Sequence, residues 1–419
     1  MINVALLGTC DTKLDELLFL REAIQENPNV AVTLIDVGRH ETRHEAIDYP
    51  HAKLVQSYGN GQDVSELPRG EVIKTMASYA TKLVKELFNR GDGTHIYGII
   101  SAGGSGGTSL TAAVMRDALP IGFPKMIVST VASGDTGPIV EETDITLMYS
   151  VVDVAGLNQV LRTVLSNAGA AIAGMACSYA SRRTASASVS KKRVGITMFG
   201  VTTPAVDAIR KHLESNYDVE TYVFHATGHG GKAMERLVRE GALDAVLDLT
   251  TTEVCDHLTG GVMSAGETRL QAAAKSGIPN VVSVGATDMS NFGPRNSVPE
   301  RYRLRKLYEH NPVVTLMRTS EQEATEVGDF VAAQLRQHAQ DPKMIEVWLP
   351  QGGISMIATP DGPFADAAAD AAMFKAIKDG LAGSNIEIKE DTRDINDASF
   401  ARDIAEALMD KLRRYSKYE

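Results

Sequence analysis

The chain has 419 residues, 43% of them hydrophobic and 23% charged. That is the make-up of an ordinary globular protein, which excludes a disordered, collagen-like or disulfide-scaffolded chain, and at roughly 150 residues per domain it predicts two or three domains. Acidic residues number 53 against 42 basic ones, and the resulting net charge of −11 repels phosphate backbones, so nucleic acid is not an expected partner.

The first apolar run, 3–7 (NVALL), reaches Gly8. Leu14, Leu17, Leu18, Arg21 and Ile24 then repeat at helical spacing, which predicts strand, glycine turn and helix. The start meets Asp11, Lys13 and Asp15 without a basic and then apolar leader, so no secretory signal is expected. Further strands are predicted over 30–37, 96–101 and 125–129, with helices over 71–89 and 109–119. Strands alternating with helices imply a parallel sheet covered on both faces. The stretch 155–177 is apolar but interrupted by Arg162 and Asn167, and it reads as a buried helix rather than a membrane span.

Residues 179–193 (YASRRTASASVSKKR) are small, polar and basic, with no hydrophobic period. They divide the chain into a lobe over 1–180, a linker over 181–193 and a second lobe over 194–419. The second lobe repeats the opening device: a strand over 194–199, Gly200, Thr202 and Thr203, Pro204 and a helix over 205–214. Strands over 217–224, 242–249 and 280–284 follow. Beyond 329 the pattern is less regular, with strands over 344–349 and 386–388 and a terminal helix over 400–415. Both lobes are therefore predicted to be doubly wound α/β units. Cys10, Cys177 and Cys255 are too scattered for a disulfide framework or a zinc ribbon, which suits the cytoplasm.

Ligands of such sheets collect beyond the carboxyl ends of the strands, and the notable motifs fall there. Gly8, Thr9, Cys10, Asp11, Thr12 and Lys13 offer hydroxyls and free amides at a helix start, although the Walker spacing is absent and Lys13 could equally be a surface residue. Gly103, Gly104, Ser105, Gly106 and Gly107, followed by Thr108, hold four glycines in five positions. That exceeds what a turn needs and points to close approach of the backbone to an anion. Ser129, Ser133, Gly134 and Asp135 form a third hydroxyl-rich loop suited to the same pocket. Asp36 stands near the position of a ribose-binding carboxylate, or is simply a solvated strand-end residue.

In the second lobe, His225, His229, Gly230, Gly231 and Lys232 would suit a carboxylate or phosphate. Glu253 and His257 lie four apart. On a helix they would share a face as an acid/base pair, unless Glu253 merely favours the helix start and His257 fills a polar core position. Glu267 and Arg269 close the same segment on the substrate side, with Lys232 or Arg269 steadying negative charge, and no third ligand beside His225 and His229 has diagnostic metal spacing.

Taken together, GTCDTK (8–13), GGSGGTS (103–109), STVASGDT (129–136), HATGHGGKAME (225–235), TTTEVCDHLTGGVMSAGETRL (250–270) and LPQGGIS (349–355) closely resemble the inhibitory region of the tomato mosaic virus resistance protein and its bacterial relatives. The likeness spans nearly the whole chain. It implies two Rossmann-like lobes with a cleft between them, ATP held by the N-terminal lobe, and homodimers or higher homo-oligomers. Magnesium would accompany ATP as the counter-ion of its phosphates.

These readings combine into a cytoplasmic ATP-binding protein acting on a small anionic molecule. His225, Glu253 and His257 are its candidate acid/base groups, and no membrane partner is expected. The alternatives are a sugar-phosphate or sugar-nucleotide enzyme without ATP and a non-catalytic, ATP-regulated interaction module.

Overall fold

The computed structural model describes residues 1–91, 94–185 and 191–415. Tertiary contacts divide the chain into two units, Met1–Ser188 and Val189–Glu419. Part of the expected linker, 186–190, lies outside the described residues.

In the first unit β1 (Ile2–Gly8) leads into α1 (Cys10–Gln25). Next come β2 (Val30–Asp36), α2 (His51–Gly59), α3 (Arg69–Asn89), β3 (Ile96–Gly103), α4 (Ser105–Ala118), β4 (Lys125–Ser129), the single turn α5 (Gly137–Val140), β5 (Thr146–Tyr149) and α6 (Gln159–Ala185). The sheet is parallel throughout, in the order β2-β1-β3-β4-β5. Neighbouring residues of its central strands face opposite cores: Leu6 packs with α1 and α6, Leu7 with α3 and α4, and neither is accessible. Each such side chain contributes about 2 kcal/mol of burial free energy, and covering on both faces explains why these strands read as unbroken apolar runs.

Two expectations change here. The helix after β3 starts at Ser105 rather than 109, because the extended Gly104 (φ −81°, ψ −166°) takes the cap position and draws Gly106 and Gly107 into the first turn. α6 is long and apolar enough to cross a membrane by length and composition, but it is not buried all round. Leu161, Leu165, Ala168, Ile172 and Ala176 pack inward, while Asn167, Ala170 and Gly174 face outward. Its small residues serve close packing: a Cβ on Gly169 would stand 2.8 Å from the Ala23 backbone.

The second unit runs β6 (Lys192–Met198), α7 (Thr203–Asn216), β7 (Val219–His225), α8 (His229–Arg239), β8 (Ala245–Thr250), α9 (Glu253–Thr259), α10 (Gln271–Ser276) and β9 (Asn280–Gly285). It continues through β10 (Met289–Phe292), β11 (Leu307–Asn311), β12 (Val314–Arg318), α11 (Glu321–His338), β13 (Ile345–Pro350), α12 (Ala367–Leu381), β14 (Glu387–Asp391) and α13 (Ala398–Tyr415). Its main sheet is also parallel, in the order β14-β13-β9-β8-β6-β7. α7 and α13 cover one face, and α11 and α12 pack on the other. The small antiparallel sheet β10-β12-β11 and the helices α11 and α12 are additions to the sequence reading. α11 carries its start signal plainly: Ser320 Oγ accepts the Glu323 amide at 3.3 Å and Glu323 Oε2 accepts the Ser320 amide at 2.8 Å. Both units are thus doubly wound α/β folds with mainly parallel sheets, as the alternation of elements predicts.

Candidate functional site

Numbered from its own first strand, each sheet begins 2-1-3-4-5, so the order reverses between the first and third strands. Loops leaving those two strands part toward opposite faces and leave a crevice at their carboxyl ends. In the first unit this crevice is a cavity of about 680 Å³. The start of α1 supplies Thr9, Asp11, Thr12 and Lys13, and the end of β3 with the start of α4 supplies Gly103, Gly104, Ser105, Gly106 and Gly107. Thr130 and Asp153 follow β4 and β5. Val37, Val72, Ile73 and Leu110 give the wall an apolar portion.

The glycines identify the business end. A Cβ on Gly107 would meet nothing within 4 Å, while on Gly103 and Gly104 the nearest atoms would stand 3.6 and 3.7 Å away. Side chains would fit there as far as the protein is concerned, so these glycines are not required by packing. Gly104 cannot cap, and no side chain caps α4, so first-turn amides that lack helical partners lie beside the cavity. Lys13 and Arg69 line the same space, and neither side chain has a hydrogen-bond or ion-pair partner among the described residues. Arg39 is also at the wall, but its guanidinium is anchored to the Ser65 and Leu67 carbonyl oxygens at 2.6 and 3.0 Å. Uncapped amides beside such cations have the chemistry to attract a multiply charged anion.

Several expected contacts lie behind this surface instead. Gly8 is needed for packing, since a Cβ there would stand 2.3 Å from Leu17 Cδ1. Cys10 is buried and its amide donates to Asp36 Oδ1 at 3.1 Å. Asp36 is inaccessible and also accepts the Gly38 amide at 2.9 Å, so it fixes the β2 turn and cannot reach a ribose. Burial is the main cause that pushes its carboxyl above the usual range. Thr108 and Ser129 are buried and bond each other through their hydroxyls at 2.6 Å. Ser133, Gly134 and Asp135 are outside the lining; Asp135 accepts the Gly137 amide at 3.1 Å, and this loop contributes only Thr130. The sequence reading missed Arg39, His40, Arg69 and Asp153, because single charged residues after strand ends or at a helix start carry no motif.

The second unit uses its glycines differently. A Cβ on Gly230 would collide with the His225 carbonyl oxygen at 1.9 Å, and one on Gly231 with Glu253 Oε2 at 2.0 Å. Glu253 Oε1 accepts the Gly228 and Gly231 amides at 2.7 and 3.0 Å, so the start of α8 is already occupied by a carboxylate of its own chain. Arg269 is inaccessible and donates to Glu253 and to both oxygens of Asp248, with Glu235 at 3.4 Å. Arg269 therefore does not steady a ligand, and Glu253 does not pair with His257. Burial pushes the Glu235 and Glu253 carboxyls upward against the pull of Arg269. His257 instead lies tilted against Phe330, with ring centroids 5.6 Å apart, and meets Ser264 Oγ at 3.5 Å. His225, with its ring 5.5 Å from Phe199, and His229 and Glu267 are exposed; Lys232 is half-buried.

The corresponding crevice at the ends of β6 and β8 is filled. The Met356 amide donates to the Val201 carbonyl at 3.0 Å, the Ala286 amide donates to Ile354 at 2.8 Å, and Val201, Ile354, Ala358 and Phe364 belong to the buried core. Gln351, Gly352 and Gly353 border a smaller, separate cavity of about 340 Å³. Among the described residues no three His, Cys, Asp or Glu side chains converge as metal ligands.

Comparison with known proteins agrees with the two-unit division of the chain. Residues 2–181 match the N-terminal domain of the Uncharacterised protein family (UPF0261), and residues 191–412 match its C-terminal domain. A UPF0261 protein of Clostridium tetani is 41% identical over 414 residues, covering 98% of this chain and 99% of its own. The ToMV resistance protein Tm-1(GCR237) of Solanum lycopersicum is 40% identical over 430 residues; these cover 97% of this chain and 55% of the tomato protein. Among solved structures, a putative UDP-N-acetylglucosamine 2-epimerase from Listeria monocytogenes aligns over 92% of this chain and 98% of its own, at 12% identity and a TM-score of 0.23. The chain belongs to the UPF0261 family, whose two domains it carries in order and to which the tomato Tm-1 proteins are related.

Proposed function

We propose that the first unit binds ATP, with the phosphates against the 103–107 loop and Lys13 and Arg69 balancing their charge. The observation that carries this is an uncapped helix start at the cavity wall whose glycines, Gly103, Gly104 and Gly107, no tight protein contact requires. Amides pointing at phosphate act together with the helix dipole. The cavity lies within the range of ordinary small-molecule sites, roughly 300–1,000 Å³, and its apolar wall of Val37, Val72, Ile73 and Leu110 suits a base.

Magnesium enters this proposal only as a companion of the phosphates. Three unpaired cysteines suit a reducing, cytoplasmic setting. A homodimer is expected from the family resemblance, and light scattering on the eluting protein reads it directly. A reaction on a second anionic molecule would have to use exposed groups such as His225 or His229, since Glu253 and Arg269 are committed to each other.

Calorimetric titration with ATP tests the binding site. Gly104→Val and Gly107→Val place side chains in the cavity, so both variants should fold and lose most of their affinity. Unchanged affinity in both would remove the loop from the site.

A further inference from the structure

We propose that Asp153 is the residue through which the first unit recognises the sugar of its nucleotide, accepting hydrogen bonds from the ribose hydroxyls. The inference rests on the nucleotide reading above and narrows the ligand class to ribonucleotides.

Two acidic side chains line the cavity, Asp11 and Asp153. Asp11 is committed: Oδ2 accepts the Arg39 and His40 amides at 2.9 and 3.1 Å, and Oδ1 is sealed from solvent against Gly38. Asp153 is exposed and has no hydrogen-bond or ion-pair partner among the described residues. A free carboxylate repels phosphate oxygens, so the two must occupy different ends of a bound nucleotide. What it takes up well is a pair of hydroxyl donors, in charge-assisted hydrogen bonds.

The backbone holds Asp153 in place on both sides. After β5 the chain reverses within three residues, the Val152 amide donating to the Ser150 carbonyl at 2.7 Å around Val151. Val151 adopts φ +67°, a left-handed conformation disfavoured for a β-branched side chain, which is itself 59% exposed. Burial of its own side chain does not account for that strain. The turn is braced, with the Ser150 amide donating to Ser129 at 3.2 Å and Ser150 Oγ donating to the Val152 carbonyl at 2.6 Å. Beyond Asp153, Val154 is inaccessible and the Gly156 amide donates to the buried Glu16 at 2.5 Å. Glu16 is on α1, one turn past the cavity residue Thr12. Asp153 thus stands on a fixed bridge between β5 and α1, facing a ligand space rather than hanging in a loose loop.

The test is calorimetric titration of the full chain with ATP, 2′-deoxy-ATP and 3′-deoxy-ATP, in chelator so that no metal links carboxylate to phosphate. The wild-type protein should favour ATP over each deoxy analogue by about tenfold or more. In Asp153→Ala the preference should shrink to within about threefold, with affinity for the deoxy analogues unchanged. Asp153→Asn keeps one acceptor and should retain part of it. Equal binding of all three nucleotides by the wild type, or an equal change in all three affinities on substitution, would overturn the role of Asp153 while leaving nucleotide binding intact. Failure of the wild type to bind ATP at all would overturn both.

Discussion

Arg269 and Glu253 form a contact of 2.7 Å between Nε and Oε2 in which neither side chain is accessible to water. The same carboxylate holds the start of α8, and the same guanidinium holds Asp248 on β8. A long-range ion pair thus fixes the loop that looks, in sequence, like an anion site.

Removing one member strands the other without solvent. Glu253→Ala and Arg269→Ala should each cost about 3–5 kcal/mol of stability. Urea denaturation followed by circular dichroism checks this. ATP affinity measured well below the unfolding midpoint should stay as in the wild type, because the cavity belongs to the other unit.

Gly107 offers the opposite trade. Its Cβ direction is empty and it sits in the first turn of α4. Gly107→Ala should stabilise the first unit by up to about 1 kcal/mol through helix propensity, and it should weaken ATP binding because the methyl group occupies ligand space. Thermal unfolding and calorimetry on one preparation read both signs. A stabilised variant that binds ATP as before would place the phosphates elsewhere.

Lys13 and Arg69 have no hydrogen-bond or ion-pair partner to lose among the described residues. Lys13→Ala and Arg69→Ala should leave stability within roughly 0.5 kcal/mol. Each should weaken ATP binding about tenfold at low salt, with the difference shrinking as salt screens the charges. Titrations at two ionic strengths distinguish this from a structural effect, which salt would not erase.

Asp288 governs a pH effect in the second unit. It is fully buried, Oδ2 accepts the Ser355 hydroxyl at 2.9 Å, Oδ1 has no hydrogen-bond partner among the described residues, and burial pushes its carboxyl up to about 7. The folded state therefore holds a proton that the unfolded chain releases near pH 4. Stability from this group is fully present below pH 4 and is lost as pH rises through about 7, by at most roughly 4 kcal/mol. Asp256, also raised to about 7 by burial, adds a slope of the same sign. Asp288→Asn should flatten the decline between pH 5 and pH 8, as urea midpoints at the two pH values will show. An unchanged slope would mean that Asp288 is ionised in the folded protein.

What was legible in the sequence was local. Runs such as 125–129 gave strands with correct ends because both faces of a parallel strand are apolar. The 103–107 loop stood out because four glycines cost more chain entropy than a turn justifies. Strands with mixed exposure, such as β5 and β11, escaped notice because half-exposed residues carry no clear period. Composition and periodicity by themselves determined two α/β units and the loops at their strand ends. Tertiary structure alone decided which glycine loop is open and which is filled. The Cβ direction of Gly107 meets nothing within 4 Å and that of Gly104 only Thr130 Oγ1 at 3.7 Å, whereas those of Gly230 and Gly231 collide with His225 and Glu253. Glu253 comes from 22 residues beyond Gly231, and no local pattern encodes which distant side chain will fill the room that a glycine leaves.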